Sequence, residues 1–335
     1  MGKRFVIIGC GRIAHKHAEQ ANRIGLLVGA CDPDQTVLDQ FTQQYGISGY
    51  TDTAALFHNC QADLAIICSP NFLHITHIKL ALEHGLDVLC EKPLCIDVAE
   101  AEGLKTVLAR SANQVFLVLS ARFHQEQIKL KQQISDGELG KLLSFQLNAC
   151  WNRGNEYYEK STWKGTLQQD GGILYTQFSH YLDALIWCLG NIQPIAVRRS
   201  NRLHGSSIEG EDTGVALLQT QDNCIGTFHW TVNSTGRNME ISLLLIGEKG
   251  TKKIGGEYMD VLEYEHIIGQ PEPGLQQQEL KQPGGHHNKI YDQLALALDN
   301  LPNNLPGITE GLAAVNLIAA IYALPQEPVI RQNHG

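Results

Sequence analysis

The sequence predicts an α/β protein in two parts. Residues 1–120 read as a doubly wound Rossmann domain, and residues 121–335 as an α+β domain with a large, mostly antiparallel sheet. Three observations predict this. A short β-branched run, Arg4 to Gly9, leads directly into Gly9-Cys-Gly-Arg-Ile-Ala14. Strand-like and helix-like segments then alternate to about residue 120. Beyond that point longer period-two segments take over, with few helices.

The turn after the first strand has the form G-x-G-x-x-A. Gly9 permits the tight turn, Gly11 lets a pyrophosphate approach the backbone, and Ala14 allows close packing of helix on strand. Glycine pairs are common, but this one follows a strand and opens a helix, Ile13 to Ile24, which is the context the chemistry needs. Arg12 and Ile13 at the helix start join the two glycines as candidate cofactor contacts. The second strand, Leu26 to Cys31, ends at Asp32, 23 residues beyond Gly9. An acid there is placed to bond a ribose 2′-hydroxyl and to repel a 2′-phosphate, so NAD is expected over NADP. Asp32-Pro33-Asp34 equally suits a turn with a helix cap, and both roles can hold.

The alternation continues with an Asp52-capped helix, Thr53 to Cys60, and a buried strand, Asp63 to Cys68. That strand ends in Ser69-Pro70-Asn71, on the same edge, where it would flank the nicotinamide half of a cofactor. Asn71 equally suits the cap of the next helix, Leu73 to His84, on which His74 is a further cofactor candidate. The run Val88-Leu-Cys-Glu-Lys-Pro93 ends in a charged pair stopped by proline. Glu91 and Lys92 thus emerge at a strand's carboxyl end, where open α/β sheets bind ligands. An Asp97-capped helix, Val98 to Arg110, and the run Val115 to Leu119 complete a doubly wound set of six strands.

In the second part a helix, Gln127 to Ser135, and a glycine turn at 137–140 precede alternating segments. These are Leu142–Trp151, Ile195–Asn201, Thr213–Thr220, Cys224–Val232 and Glu240–Ile246. A large sheet covered on one face leaves the other for ligand or for a neighbouring subunit, so a homodimer or homotetramer through this sheet is expected. Between Asp170 and Gly190, apolar residues recur at helical spacing through Leu182, Leu185, Ile186 and Leu189. Thr176, His180 and Asp183 fall on one stripe of that helix. His180 becomes interesting only if its face meets the cofactor edge. The last helix, Thr309 to Leu324, reads as structural.

Composition narrows the function. A chain of 335 residues with 43% hydrophobic and 18% charged content is expected to fold into two soluble globular domains. A net charge of −9 without a basic run argues against nucleic acid, and an anionic ligand would need basic residues to gather locally. Nine cysteines form no C-x-x-C pair and no zinc spacing, which suits reduced thiols in a cytoplasmic protein. The opening apolar run is too short for a signal peptide, and no stretch is long enough to span a membrane. His286 and His287 follow a Gln/Gly/Pro-rich segment, Gln270 to Gly285, with no third ligand nearby in sequence. No metal is expected there, and the segment reads as a surface loop that closes over ligand or simply faces solvent.

Taken together, Gly9-Cys-Gly-Arg-Ile-Ala14, Cys90-Glu-Lys-Pro93, Gly171-Gly172 with His180-Tyr-Leu-Asp183, Glu211-Asp-Thr213 and Leu245 to Thr251 resemble one family. It is the glucose–fructose oxidoreductase, inositol dehydrogenase and rhizopine-catabolism family, and the resemblance runs nearly end to end. It implies that Lys92 and His180 face a sugar ring across the nicotinamide. Trp151 to Tyr158 and Ser161 to Gly165 look like the substrate loop of UDP-N-acetylglucosaminuronate 3-dehydrogenases, which serve bacterial surface-polysaccharide synthesis. Arg153 and Lys164 would then meet a pyrophosphate or carboxylate, and Tyr157 or Trp163 would stack on a ring. Thr176, Gln177 and Asp183 complete the substrate set with Lys92 and His180. One departure matters: the family carries Asp or Asn four residues before the histidine, and this chain carries Thr176, which bonds a hydroxyl but carries no proton at neutral pH.

The expected activity is therefore NAD-dependent oxidation of a secondary hydroxyl, at C3, of a UDP-N-acetylhexosaminuronate. His180 would take the proton and Lys92 would steady the alkoxide, with the roles exchanged if burial lowers the lysine pKa. An inositol or free-monosaccharide dehydrogenase is the alternative of the same class. A non-catalytic NAD-sensing regulator is the alternative of another class, and it would have no need of both Lys92 and His180.

Overall fold

The computed structural model describes residues 2–205, 207–271 and 286–325. Short apolar runs form a first sheet. In chain order its elements are β1 (Arg4–Ile8), α1 (Arg12–Ile24), β2 (Leu26–Cys31), α2 (Gln35–Tyr45), β3 (Ser48–Tyr50), α3 (Thr53–Asn59), β4 (Leu64–Ile67), α4 (His74–Glu83), β5 (Asp87–Cys90), α5 (Val98–Leu108) and β6 (Val115–Leu117). The strands are parallel, in the order β3-β2-β1-β4-β5-β6. Strand order reverses between β1 and β4, which opens a crevice at their carboxyl ends. Asp34, Asp52 and Asp97 accept backbone N–H bonds at the starts of α2, α3 and α5 and so fix where those helices begin.

The second part contains α6 (Gln125–Ser135), β7 (Leu142–Cys150), α7 (Asn155–Glu159), α8 (Ser179–Leu189), β8 (Ile192–Ser200), β9 (Thr213–Thr220), β10 (Ile225–Thr231), β11 (Glu240–Gly247), β12 (Gly250–Gly255), β13 (Val261–Ile267), α9 (His287–Leu298) and α10 (Ile308–Ala323). Its seven strands run β13-β12-β11-β7-β10-β9-β8, antiparallel except for the β7–β10 pair. Strands β12 and β13 were not expected from the sequence. Lys252 is the reason: it points inward, is only 1% exposed, and is held by Glu265 at 2.8 Å and Gln133 at 2.9 Å. A buried lysine paired with a buried glutamate hides the hydrophobic alternation.

The inner face of this sheet buries Leu147, Phe228, Trp230 and Leu243. The outer face leaves Val215, Leu217, Ile225, Ile246 and Tyr264 exposed. Helix α9 crosses back and adds Ile290, Tyr291 and Leu294 to the core beneath β1 and α1. The later chain thus contributes one layer to the first sheet. All nine cysteines are free, and burial pushes the Cys10 and Cys95 thiols up to about 12, which leaves them protonated. Among the described residues no helix is long and apolar enough to cross a membrane. Most of the segment expected to form a surface loop, 272–285, lies outside the described residues.

Candidate active site

The cofactor edge is built first by glycine. Gly9 has φ of +89°, and a Cβ there would lie 2.7 Å from the Ser69 nitrogen and 2.8 Å from the Cys68 carbonyl, so no other residue fits between β1 and β4. At Gly11 a Cβ would meet no protein atom within 4 Å, which leaves open space over the start of α1. That helix begins without a side-chain cap, so its first amides, those of Arg12 and Ile13, and its positive end are available to a phosphate. Beside the turn, Asp32 accepts the Cys10 N–H at 2.8 Å and the Asp34 N–H at 2.9 Å. Each carboxylate oxygen keeps a lone pair for a ribose hydroxyl. The open cradle, the uncapped helix and the fixed acid fit a dinucleotide.

At the end of β4, Asn71 is buried, and its amide nitrogen has no hydrogen-bond partner among the described residues. Ser69 pairs with His77 at 2.9 Å, and Pro70 leads into a single 3₁₀ turn, Asn71–Leu73. His74, expected at the cofactor, is engaged by the protein's own backbone. Its ring is 1% exposed, and its two nitrogens meet the carbonyls of Pro93 at 2.7 Å and Ser69 at 2.9 Å. Burial pulls its pKa down, although both carbonyls favour a protonated ring. His74 therefore ties the Ser69 turn to the turn that follows Lys92.

Lys92 emerges from β5 before a cis peptide bond to Pro93, and its ammonium donates to the Thr176 carbonyl at 2.7 Å. Thr176 belongs to a π-helical turn, Leu174–Phe178, that precedes α8. The sequence reads as one continuous helix here, because a single wide turn leaves the apolar spacing almost unchanged. Gly172 leads into the turn with φ of +104°, where a Cβ would lie 2.5 Å from the Tyr322 hydroxyl. His180 opens α8, with Nδ1 buried and unbonded among the described residues. Burial, then the Lys92 charge, hold His180 well below the usual imidazole range. Burial likewise pulls Lys92 down, with Arg153 adding to it and Glu91 and Asp170 opposing it.

Across the site, Arg153 donates to the Gln177 side-chain oxygen at 2.7 Å, and Gln177 donates to the Tyr157 hydroxyl at 3.1 Å. The Arg153 guanidinium lies 4.8 Å from the Trp151 ring centre and 5.3 Å from that of Tyr157. Lys164 sits 4.2 Å from the Tyr157 ring centre and 5.8 Å from that of Trp163. The structure thus joins Arg153, Tyr157, Trp163, Lys164 and Gln177 into one cluster, electrostatically linked to Lys92. Three cations gather on a chain of net charge −9, which is the local condition an anionic ligand requires.

Two further expected site residues are engaged within the protein. Asp183 is 1% exposed and accepts from Arg122 with both oxygens, at 2.8 and 2.7 Å, an internal ion pair. Glu91 is held by His17 at 3.0 Å and by the Lys92 amide at 3.1 Å, so its carboxylate orders the protein around Lys92. Burial pushes the Glu91 carboxyl up, but hydrogen bonds and charge from His17 and His287 outweigh it and hold the group well below the usual range.

The sequence reading missed two features. His17, Glu91 and His287 place their ligand atoms within 4.8 Å of one another, so this is where a divalent ion could be held. Without an ion His17 bonds Glu91 at 3.0 Å and Tyr291 at 2.8 Å through its two nitrogens, and His287 Nε2 lies 3.8 Å from Glu91. The second is Asp170, buried beside Lys92 and Lys164. Only the buried position could have marked it, and position is not visible in a Gln-Gln-Asp-Gly-Gly string.

The fold and this geometry agree with the comparisons. The model for the oxidoreductase family with NAD-binding Rossmann fold matches residues 3–119, and that for the GFO/IDH/MocA C-terminal domain matches residues 128–253. The chain belongs to this family and is an NAD-binding protein. The WlbA dehydrogenase of Bordetella pertussis, solved with NADH and UDP-GlcNAcA, is 26% identical, with 96% of each chain covered and a TM-score of 0.87. The WlbA dehydrogenase of Chromobacterium violaceum, solved with the same two ligands, is 27% identical, with 96% of this chain and 93% of that one covered and a TM-score of 0.87. The D-glucoside 3-dehydrogenase of Escherichia coli is 30% identical over 191 residues, which is 56% of this chain and 54% of that protein. The chain spans about half the length of the first curated relatives it matches.

Proposed function

We propose that the protein is an NAD-dependent dehydrogenase that oxidises a secondary hydroxyl, at C3, of a UDP-N-acetylhexosaminuronate for bacterial surface-polysaccharide synthesis. The observation that carries the reading is the approach of Lys92, bonded from the end of β5 to the π turn, to His180 on the first turn of α8, with a cationic and aromatic cluster beside them. The similarity to the two WlbA dehydrogenases supports the choice of nucleotide sugar.

In this reading Gly9, Gly11, Arg12, Ile13, Asp32, Ser69, Pro70 and Asn71 bind NAD, which supplies the hydride acceptor when bound. A sugar hydroxyl is too weak an acid to lose its proton unaided. Burial, then the Lys92 charge, favour the neutral imidazole of His180, which leaves it free to take the hydroxyl proton. The Thr176 carbonyl takes one N–H of Lys92 and leaves the others to point at the substrate oxygen. Once the proton has moved, positive charge lies beside the developing alkoxide and stabilises it. Arg153 and Lys164 bind the pyrophosphate or the carboxylate, Tyr157 and Trp163 offer ring faces, and Thr176 and Gln177 bond sugar hydroxyls.

We assign NAD binding to residues 1–120 and substrate binding and oligomerisation to residues 121–335. The exposed apolar residues on the outer face of the second sheet support a homodimer or homotetramer through that face. The similarity to a D-glucoside 3-dehydrogenase supports a second reading, a dehydrogenase for a free sugar or cyclitol. Melting curves with UDP, UDP-N-acetylglucosaminuronate, myo-inositol and a glucoside, followed by assays of NADH formation, separate the two. The nucleotide-sugar reading expects UDP and the UDP-sugar to raise the melting temperature and the UDP-sugar alone to yield NADH. NADH from the glucoside or inositol, with no response to UDP, would replace it.

A further inference from the structure

The last helix, α10, sends one side chain back toward the site. Tyr322 stands in its final turn, and its hydroxyl accepts the Leu174 N–H at 3.2 Å while donating to the Glu211 carboxylate at 2.8 Å. Leu174 is fully buried and opens the π turn, and Glu211, buried as well, lies just before β9. Glu211 also accepts the Trp230 indole N–H at 3.3 Å and has the Arg199 guanidinium at 3.9 Å, so β8 and β10 both hold it in place.

The first N–H groups of a helical turn have no acceptor within the turn and must find one outside it. No side-chain cap precedes the π turn, and the Tyr322 phenol takes that part for Leu174 from a helix near the end of the chain. The hydroxyl sits where a side chain on Gly172 would begin, which ties the glycine pair to the tyrosine. The Gly172 carbonyl in turn accepts the Tyr175 N–H at 3.2 Å and the Thr176 hydroxyl at 3.3 Å. Two residues beyond Leu174 is the carbonyl that receives the Lys92 ammonium at 2.7 Å, and α8 with His180 follows the turn directly. Glu211, Tyr322, the π turn and Lys92 thus form one continuous series of contacts.

We propose that Tyr322, held by Glu211, is a positioning residue whose hydroxyl fixes the π turn, and with it both the Thr176 carbonyl that aims Lys92 and the start of the helix that carries His180. The proposal rests on the reading of Lys92 and His180 as the reacting pair. It gives a task to Glu211 of the Glu211-Asp-Thr213 string and to a last helix that the sequence marks only as structural. The effect passes through the backbone of the turn.

Tyr322→Phe in the full-length protein removes the hydroxyl alone. The ring keeps the Arg199 guanidinium 5.0 Å from its centre and the Tyr175 ring at 5.9 Å, so the variant should fold. With NAD and UDP-N-acetylglucosaminuronate its kcat should fall about 10- to 100-fold, the cost of a misplaced reacting group, while KM and the NADH dissociation constant stay within about threefold of the parent. Glu211→Gln keeps an acceptor for the hydroxyl and should hold kcat within about fivefold, since a charged acceptor is exchanged for a weaker one. Hydrogen exchange without substrate reads the turn itself: in Tyr322→Phe the amides of residues 174–178 should exchange about tenfold faster or more, and those of α2 at the parent rate. Unchanged exchange in the turn overturns the proposal. Faster exchange with a parental kcat also overturns it, as does a Glu211→Gln variant as slow as Tyr322→Phe. A parent that yields no NADH from any sugar would sink the proposed reaction, and the exchange rates would then decide this role of Tyr322 by themselves.

Discussion

The ammonium of Lys92 and the main-chain carbonyl of Thr176 are 2.7 Å apart, and this bond joins the end of β5 in the first sheet to the π turn that precedes α8 in the second part. The carbonyl fixes the direction of the lysine without neutralising it. His180, four residues on, then sits in the field of that lysine, which is one reason its imidazole stays neutral.

Removing either member of this pair should cost turnover and spare NAD. Lys92→Met and His180→Gln are each expected to bind NADH as the parent does and to lose roughly 10²- to 10⁴-fold in kcat, the usual worth of a positioned acid–base group. The Lys92→Met change should also raise the His180 pKa, because a cation that disfavours imidazolium has gone. The acidic limb of kcat/KM in the parent should accordingly lie below about 6.5, the ordinary histidine value. Fluorescence titration, steady-state assays and an imidazole NMR titration check the three statements. Full activity in either variant, or a limb at the ordinary histidine value, would count against the pair.

Much of this site is legible in the sequence because Rossmann chemistry is local. Gly9, Asp32, Ser69 and Lys92 each follow a strand that ends at the same edge, and the strands are apolar enough to be seen. What could not be read depends on contacts between distant segments. Arg122 lies in a 3₁₀ turn with nothing to mark it as the partner of Asp183. His287 meets Glu91 only because α9 returns to α1, and a doublet His286-His287 carries no hint of that return. The three-residue β3 is too short for alternation to register.

Stability should fall on mild acidification. His124 is 7% exposed, and burial pushes its pKa down to about 4, with the charges of His286 and Lys289 adding to the effect. An imidazole depressed in the folded state favours folding above its unfolded value and loses that contribution as pH falls from about 6.5 towards the folded value, because the unfolded chain then binds the extra proton. Over the whole window the contribution is on the order of 3 kcal/mol, and less where water reaches the ring. His124→Gln should therefore flatten the pH dependence of the urea midpoint between about pH 7 and pH 5, the span across which an ordinary histidine gains its proton. A parallel loss in parent and variant would remove His124 as the cause.

Asp32 should govern cofactor choice and local stability together. Its carboxylate receives the amides of Cys10 and Asp34, so Asp32→Ala strands two donors at the turn. The change should weaken NADH binding, narrow its preference over NADPH, and lower stability by about 1–3 kcal/mol for the unmet bonds. Paired titrations with NADH and NADPH, with a melting curve, separate these effects. An unchanged ratio of the two dissociation constants would show that the acid acts on the turn alone.

Arg122 and Asp183 supply the clearest separation of structure from chemistry. Asp183 lies one turn beyond His180 in sequence, where a substrate role was expected, yet both of its oxygens face Arg122. Burial raises the Asp183 carboxyl, and the hydrogen bond and charge of Arg122 pull against that rise. Asp183→Asn leaves a cation buried without its counter-charge and should cost about 3–5 kcal/mol of stability. The double change Arg122→Met with Asp183→Leu removes both charges and should recover most of that loss, since a buried pair is often replaceable by apolar packing. Turnover provides the decisive contrast: the folded double variant should keep a KM within about threefold of the parent, a span of well under 1.4 kcal/mol of binding free energy. A large rise in KM in that stable variant would return Asp183 to the substrate site.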